Sequence, residues 1–288
     1  MQWDAIPVGG GGVGHPAVIR GSDAYRCRWG VACQNDCVSG RALTFGAVAK
    51  AYEQFRPSYP PELVESVLVY AQQPISTALE IGAGTGKATR VFAGHGITVT
   101  ATDPDAAMLA ELRKHLPAGV KTVQAAFENL PLDTKYGLVY AAAALHWTRP
   151  EGRCRRIAAL LDSGGIFASF GGPIHLADRA VEDDVRAARE PFLESDDVPP
   201  PEQTPPGSMQ WPGTELQRAE WFVDVQQSLI ERRLTMSAHG YVRYLSTVSA
   251  YLQLPVVDQE QVLARIMRVL PHEVKVTADL TVHLARRR

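Results

Sequence analysis

The sequence predicts an α/β fold: a doubly wound, mostly parallel, seven-stranded sheet with helices on both faces and a helical lid. Three observations carry that prediction. Short apolar runs alternate with segments of helical period between residues 77 and 170. The first run ends in the glycine turn Gly82-Ala83-Gly84-Thr85-Gly86, and the second ends in Asp103. After the fifth run the pattern becomes irregular and proline-rich, as an appended lid would be.

Residues 1–40 differ from the rest. They are rich in glycine, hold Cys27, Cys33 and Cys37, and show no sustained period. A flexible N-terminal extension is expected there, or upstream sequence included through a misplaced start codon. The cysteine spacings give no C-x-x-C pair, so reduced thiols are expected rather than zinc, and Cys154 stands alone. Residues 41–288 are expected to form one domain, with the lid spanning about 172–256.

Helical patterning begins with Phe45, Val48, Ala49 and Tyr52, and resumes after Pro60-Pro61 with Leu63, Val64, Val67 and Leu68. Thr77 to Ile81 reads as the first buried strand. A helix follows from Lys87 to Phe92, then a strand from Thr98 to Asp103. Pro104 opens a helix with Met108, Leu109, Leu112 and Leu116 on one face. Strands are predicted at Val120–Ala126, Leu138–Ala142 and Ile166–Phe170. Between the last two, a helix from Pro150 turns Cys154, Ile157, Leu160 and Leu161 inward and stops at Ser163-Gly164-Gly165.

Ala177, Val181, Val185, Ala188 and Phe192 recur at helical spacing, and a proline-rich loop follows between Ser195 and Gly213. A strand is expected near Val225–Leu234 and helices near Ala238–Leu252 and Asp258–Leu270. One last strand alternates through Val274, Val276, Ala278, Leu280, Val282 and Leu284.

Composition narrows the function classes. The chain has 288 residues, 45% of them hydrophobic, and a formal net charge of −2. Its longest basic run is Arg286-Arg287-Arg288, so no nucleic-acid partner is expected. No apolar run has bilayer length, and no basic-then-apolar leader is visible, so a cytoplasmic protein with no membrane partner is expected.

The glycine turn lets a ligand approach the backbone closely, and the helix N-terminus behind it favours a carboxylate or phosphate. A dinucleotide fingerprint requires a third glycine where this chain has Lys87, and Glu80 would repel a pyrophosphate. For a sulfonium amino acid, which carries positive charge on sulfur and on nitrogen, Glu80 is acceptable. Asp103, at the end of the second strand, can accept both hydroxyls of a ribose; capping the next helix is its competing role.

Residues from about 44 to 172 resemble the class I S-adenosylmethionine (SAM)-dependent methyltransferases, and within them the small-molecule branch typified by trans-aconitate methyltransferase. The resemblance rests on Leu79-Glu80-Ile81-Gly82-Ala83-Gly84-Thr85-Gly86 and on Thr102-Asp103-Pro104-Asp105 with Met108. Phe127-Glu128-Asn129-Leu130-Pro131, Ala144-Leu145-His146-Trp147 and the upstream Tyr52-Glu53-Gln54-Phe55-Arg56-Pro57-Ser58-Tyr59-Pro60 complete it. It implies SAM as cofactor, with Glu80, Gly82, Ala83, Gly84 and Gly86 around the methionine part and Asp103 on the ribose. Met108, Ala126, Phe127 and Glu128 would flank the adenine. Many relatives have Asp where this chain has Ala126, so a backbone carbonyl or Glu128 would take its place.

A base is needed only where the acceptor must lose a proton, and His146, after the fourth strand, is the candidate. Arg56 suits a carboxylate-bearing substrate, or an ion pair with Glu53 or Glu62. Tyr52, Trp147 and Tyr241 are candidate acceptor contacts, with packing the competing role of Tyr241, Tyr244 and Tyr251. No metal site is expected. The Asn/Asp-Pro-Pro-Tyr segment of amine-methylating nucleic-acid enzymes is absent. The expected function is methyl transfer from SAM to a small molecule. A non-catalytic SAM-binding sensor or assembly protein is the alternative, and a nicotinamide-dependent oxidoreductase the more distant rival.

Overall fold

A computed structural model describes residues 43–117, 119–196, 202, 204–205 and 207–288. The expectations for residues 1–40, including the flexible extension and the three clustered cysteines, lie outside the described residues. A 3₁₀ segment at Leu43–Val48 runs into α1 (Ala49–Phe55), followed by α2 (Pro61–Ala71) and β1 (Thr77–Ile81). Next come α3 (Lys87–Gly94), β2 (Thr98–Asp103), α4 (Ala106–Arg113), β3 (Lys121–Gln124) and β4 (Tyr136–Ala142). The chain continues through α5 (Arg153–Leu160), β5 (Leu161–Gly171), β6 (His175–Leu176), α6 (Arg179–Arg189) and α7 (Gly213–Arg218). It ends with β7 (Phe222–Ile230), β8 (Arg233–Ser237), α8 (Ala238–Leu245), α9 (Ser249–Leu252), α10 (Val256–Val269), β9 (Glu273–Thr277) and β10 (Leu280–Arg287).

The large sheet has seven strands in the order β3-β2-β1-β4-β5-β10-β7. Its first five strands are mutually parallel, and β10 runs antiparallel to both neighbours. The predicted fold class is therefore the observed one. Adjacent residues of the central strands face opposite cores, which is why they read as continuous apolar runs. Leu138 and Tyr140 pack with α2 and α3 on one face. Val139 and Ala141 pack with α5 and α7 on the other. The strand order reverses between β1 and β4, and a ligand crevice is expected beyond the carboxyl ends of those strands.

A second sheet, β6-β9-β8, joins α6, α8, α9 and α10 around its own apolar core to form a cap. Its boundaries differ from the expected lid. The predicted strand at 225–234 divides at Glu231-Arg232 into β7 of the large sheet and β8 of the cap sheet. The predicted last strand divides at Ala278-Asp279 into β9 and β10, again one in each sheet. Alternation records which side of a strand is buried, and it continues unbroken when the chain passes from one core to another. Thus β7 leaves the predicted lid span, and α10 and β9, beyond residue 256, join the cap.

Other boundaries shift as well. Ser163-Gly164-Gly165 does not stop α5; the helix ends at Leu160, and these residues form an irregularity within β5 where pairing with β4 shifts register. Leu161 is buried as the first residue of that strand instead of on the helix. The predicted helix at 238–252 is interrupted between Leu245 and Ser249. Among the described residues, no helix is long and apolar enough to cross a membrane.

Candidate functional site

At the carboxyl end of β1 the chain reverses through Gly82, Gly84 and Gly86, all at positive φ. Gly82 is constrained twice. Its φ is +66°, and a Cβ there would lie 2.6 Å from the Cβ of Ala144. The loop after β4 thus rests directly on the turn, and only glycine permits that approach. The turn is tied to β2 by Ala83 N–H, which donates to the Thr102 carbonyl at 2.8 Å.

Asp103 completes this joint. Its two carboxylate oxygens accept from the backbone N–H groups of Gly84 and Asp105, each at 2.8 Å. Helix α4 is capped instead by Asp105, which accepts from Ala107 N–H and Met108 N–H. The cap of α4 is thus taken by Asp105, while both oxygens of Asp103 brace the turn after β1 and the start of the segment after β2. Burial pushes the Asp103 carboxyl up to about 6, with the two N–H bonds acting in the other direction.

Glu80 lies in the strand one residue before the β1 terminus and is fully buried. One oxygen, Oε2, accepts from Thr89 Oγ1 at 2.5 Å and from Tyr140 OH at 3.0 Å. The other, Oε1, has no hydrogen-bond partner among the described residues, and neither does the buried Thr85 hydroxyl. Burial raises the Glu80 carboxyl to about 8, while Thr89 and Tyr140 oppose the rise. Both orphaned groups belong to residues lining a cavity of about 90 Å³. An unpaired carboxylate oxygen fits an ammonium, and the N–H-braced Asp103 fits a diol, so the residues present suit the amino-acid and ribose ends of SAM.

The same cavity is lined by Tyr52, Arg56, Tyr59 and Lys87, by Ala143 and Gly171, and by Ile174 and Arg232 from the cap side. Lys87 Nζ donates to the Glu53 carbonyl at 2.6 Å, and Glu53 also pairs with Arg90 at 2.6 Å. Burial lowers the Lys87 ammonium below its ordinary range. Ala143, at φ +50°, is a non-glycine residue in the left-handed region at the cavity edge.

Of the predicted site residues, the structure gathers Glu80, Gly82, Ala83, Tyr52 and Arg56 at the cavity. Met108 is buried beside Gly84, and Asp103 joins the turn through its hydrogen bond. Arg56 makes no ion pair with Glu53 or Glu62. Its Nε and Nη2 donate to Thr247 at 2.9 Å, and its guanidinium lies between the Tyr52 and Tyr244 rings.

Ala126 begins a 3₁₀ turn, and the Phe127 ring packs into the core beneath it. Glu128 Oε1 accepts from Arg149 N–H at 2.8 Å. His146 and Trp147 stand outside the cavity lining, their rings 4.5 Å apart, and Trp147 reaches Tyr52 through Phe45. Tyr241 is elsewhere, buried in the cap core, where helical spacing marked a packing residue. Sequence reasoning missed Tyr140, Thr89 and Arg232; the one available signal was the paired cation Arg232-Arg233 inside a predicted strand.

Residues 79–169 match the family profile described as a methyltransferase domain. The strand order and the glycine turn agree with the fold that the resemblance to class I methyltransferases implies for this segment. An uncharacterized methyltransferase of Mycobacterium tuberculosis is 40% identical over 125 residues, 43% of this chain and 50% of the relative. A trans-aconitate 2-methyltransferase of Delftia acidovorans is 33% identical over 128 residues, 42% of this chain and 46% of the relative. The chain thus spans about half the length of these curated relatives. A solved structure, a putative type II methyltransferase from Anaeromyxobacter dehalogenans, shares the fold with a TM-score of 0.56 at 22% identity. That match covers 81% of this chain and 98% of the other.

Proposed function

We propose that the chain transfers a methyl group from SAM to a small-molecule acceptor in the cavity between the large sheet and the cap. The observation that carries this reading is the joint at Gly84, Asp103 and Glu80. There a carboxylate held by two backbone N–H groups lies beside a second, buried carboxyl with one unpartnered oxygen. The first suits a ribose and the second an ammonium, which is the pairing that SAM presents.

SAM, when bound, supplies a methyl on a sulfonium that is already a good leaving group. The protein's share is then to hold the acceptor in line and to keep water out. Tyr52, Tyr59 and Arg56 furnish the acceptor wall, and His146 is the candidate base for an acceptor that must lose a proton. Met108 would flank the adenine, with the Ala126–Glu128 turn on its other side.

Calorimetry with SAM and S-adenosylhomocysteine tests the proposal. Wild type should bind both, and Asp103→Ala should weaken binding by at least about tenfold, since it removes charge-assisted hydrogen bonds. No binding by wild type, or an unaltered affinity in the variant, would sink the reading.

A further inference from the structure

We propose that β7 is the seam of a two-fold dimer, in which the same strand of a second copy pairs with it antiparallel and joins two seven-stranded sheets into one. The inference is independent of the methyltransferase reading.

Among the described residues the two sheets end in four edge strands, β3 and β7 in one and β6 and β8 in the other. An unpaired edge offers a row of N–H and C=O groups to any other chain, and proteins that stay single shorten or charge such strands. Three of the four edges are guarded in that way. β6 has two residues, β3 has four and opens on the exposed Lys121, and β8 has five and opens on Arg233.

β7 has nine residues and no such guard along most of its length. The irregularity in its pairing lies at its start, where Asp224 takes a φ of +53° and the register with β10 slips between Leu284 and Arg286. Beyond that point Val225-Gln226-Gln227-Ser228-Leu229-Ile230 carries neither charge nor proline. Among the described residues, the main-chain groups of this run bond to nothing but β10.

The composition of the run selects its occupant. Near a two-fold axis each side chain meets its own copy, so a charge repels itself, whereas a group that both donates and accepts can bond to itself. Gln226 and Ser228 are such groups. They lie on the same face as Ile230, both are exposed, and neither side chain has a hydrogen-bond partner among the described residues. On the opposite face Leu229 is 57% exposed, and pairing would lay it across the partner's strand. A two-fold axis normal to the sheet makes this pairing antiparallel and closed, and the guarded β3 edge keeps further copies from adding on.

The available area suits a reversible dimer. Nine residues at about 3.4 Å each make an edge roughly 30 Å long. With the layers packed about 10 Å from each face, the rim is roughly 20 Å deep, which gives about 600 Å² from each copy. A standard interface takes about 800 Å² from each partner, so the contact stands at the reversible end of the range. Helix α2 contributes to that rim. Its Tyr70 hydroxyl donates to the Asp224 carbonyl at 2.7 Å, and the adjacent Val69 is 77% exposed.

Sedimentation equilibrium of the whole chain from about 1 to 200 μM should show a monomer–dimer equilibrium. Ser228→Lys and Gln226→Lys each bring like charges together near the axis, and should weaken dimerisation by at least about tenfold. Ser228→Asp should do the same. An equal mixture of Ser228→Lys and Ser228→Asp should associate at least about tenfold more tightly than either variant alone, a recovery that a misfolded variant could not give. Val123→Lys, on the β3 edge, should leave the association of wild type unchanged. A wild type that stays monomeric throughout, or both lysine variants dimerising as tightly as wild type, overturns the proposal. So does a mixture that shows no recovery. Slow amide exchange from Val225 to Ile230 in a monomeric wild type would assign the edge to another segment of the same chain, and overturns it too.

Discussion

Replacing Glu80 by Gln should change how stability depends on pH, and by an amount the structure bounds. The folded carboxyl titrates at about 8 against an ordinary value of 4.5, because it is fully buried and only Oε2 is hydrogen-bonded. Between those two values the folded protein holds a proton that the unfolded chain has lost. Stability from this group is therefore full below the ordinary value, declines as pH rises, and is lost above the folded one. The interval corresponds to at most about 5 kcal/mol. Glutamine mimics the neutral carboxyl and can still accept from Thr89 and Tyr140.

Urea unfolding of the cofactor-free protein should then give similar stabilities for wild type and Glu80→Gln near about pH 5. Near about pH 9 the variant should be the more stable, by up to about 5 kcal/mol. SAM binding should show the reverse preference. An ammonium beside Oε1 favours the ionised carboxyl, so wild-type affinity should rise with pH toward about 8 and the variant's should not. Stability curves for the two proteins that stay parallel across this range would refute the reasoning.

Other substitutions test the turn, the base and the core. Gly82→Ala forces a left-handed φ on a residue with a Cβ and drives that Cβ into Ala144. It should cost about 2–4 kcal/mol by urea unfolding and abolish S-adenosylhomocysteine binding, and a cost below about 1 kcal/mol would contradict the geometry. His146→Ala should lower turnover about a hundredfold with SAM affinity held, if His146 is the base; turnover within about threefold would assign it to the wall with Trp147. Phe92→Ala removes a fully buried ring stacked 4.3 Å from Tyr140 and should cost about 3–5 kcal/mol. A loss under about 1 kcal/mol would mean that the ring does not pack as described.

The parallel half of the fold was legible because its signals are local. A strand buried on both faces is an unbroken apolar run, and a turn that admits a ligand needs glycine at defined positions. The cap was not legible in the same way. Period-two alternation holds from Val274 to Val282 and ends where His283 is buried beside Leu284, and it spans two sheets with different cores. Asp103 and Asp105 look alike in sequence, and only the backbone path after β2 gives one the helix cap and the other the brace of the glycine turn. Arg232 was not legible because Arg56, which lines the same cavity, lies 176 positions away, and no pattern of spacing connects them.

The chain passes between the large sheet and the cap four times: after β5, between α6 and α7, between β7 and β8, and between β9 and β10. The cap therefore cannot be exchanged as one continuous cassette, because any single cut leaves three other crossings intact. Gly172, Arg232 and Ala278, which lie at three of those crossings, also line the cavity. Grafting a foreign cap would disturb all three together. The shape of that cavity is thus more accessible to change through single side-chain replacements on its wall than through exchange of whole segments.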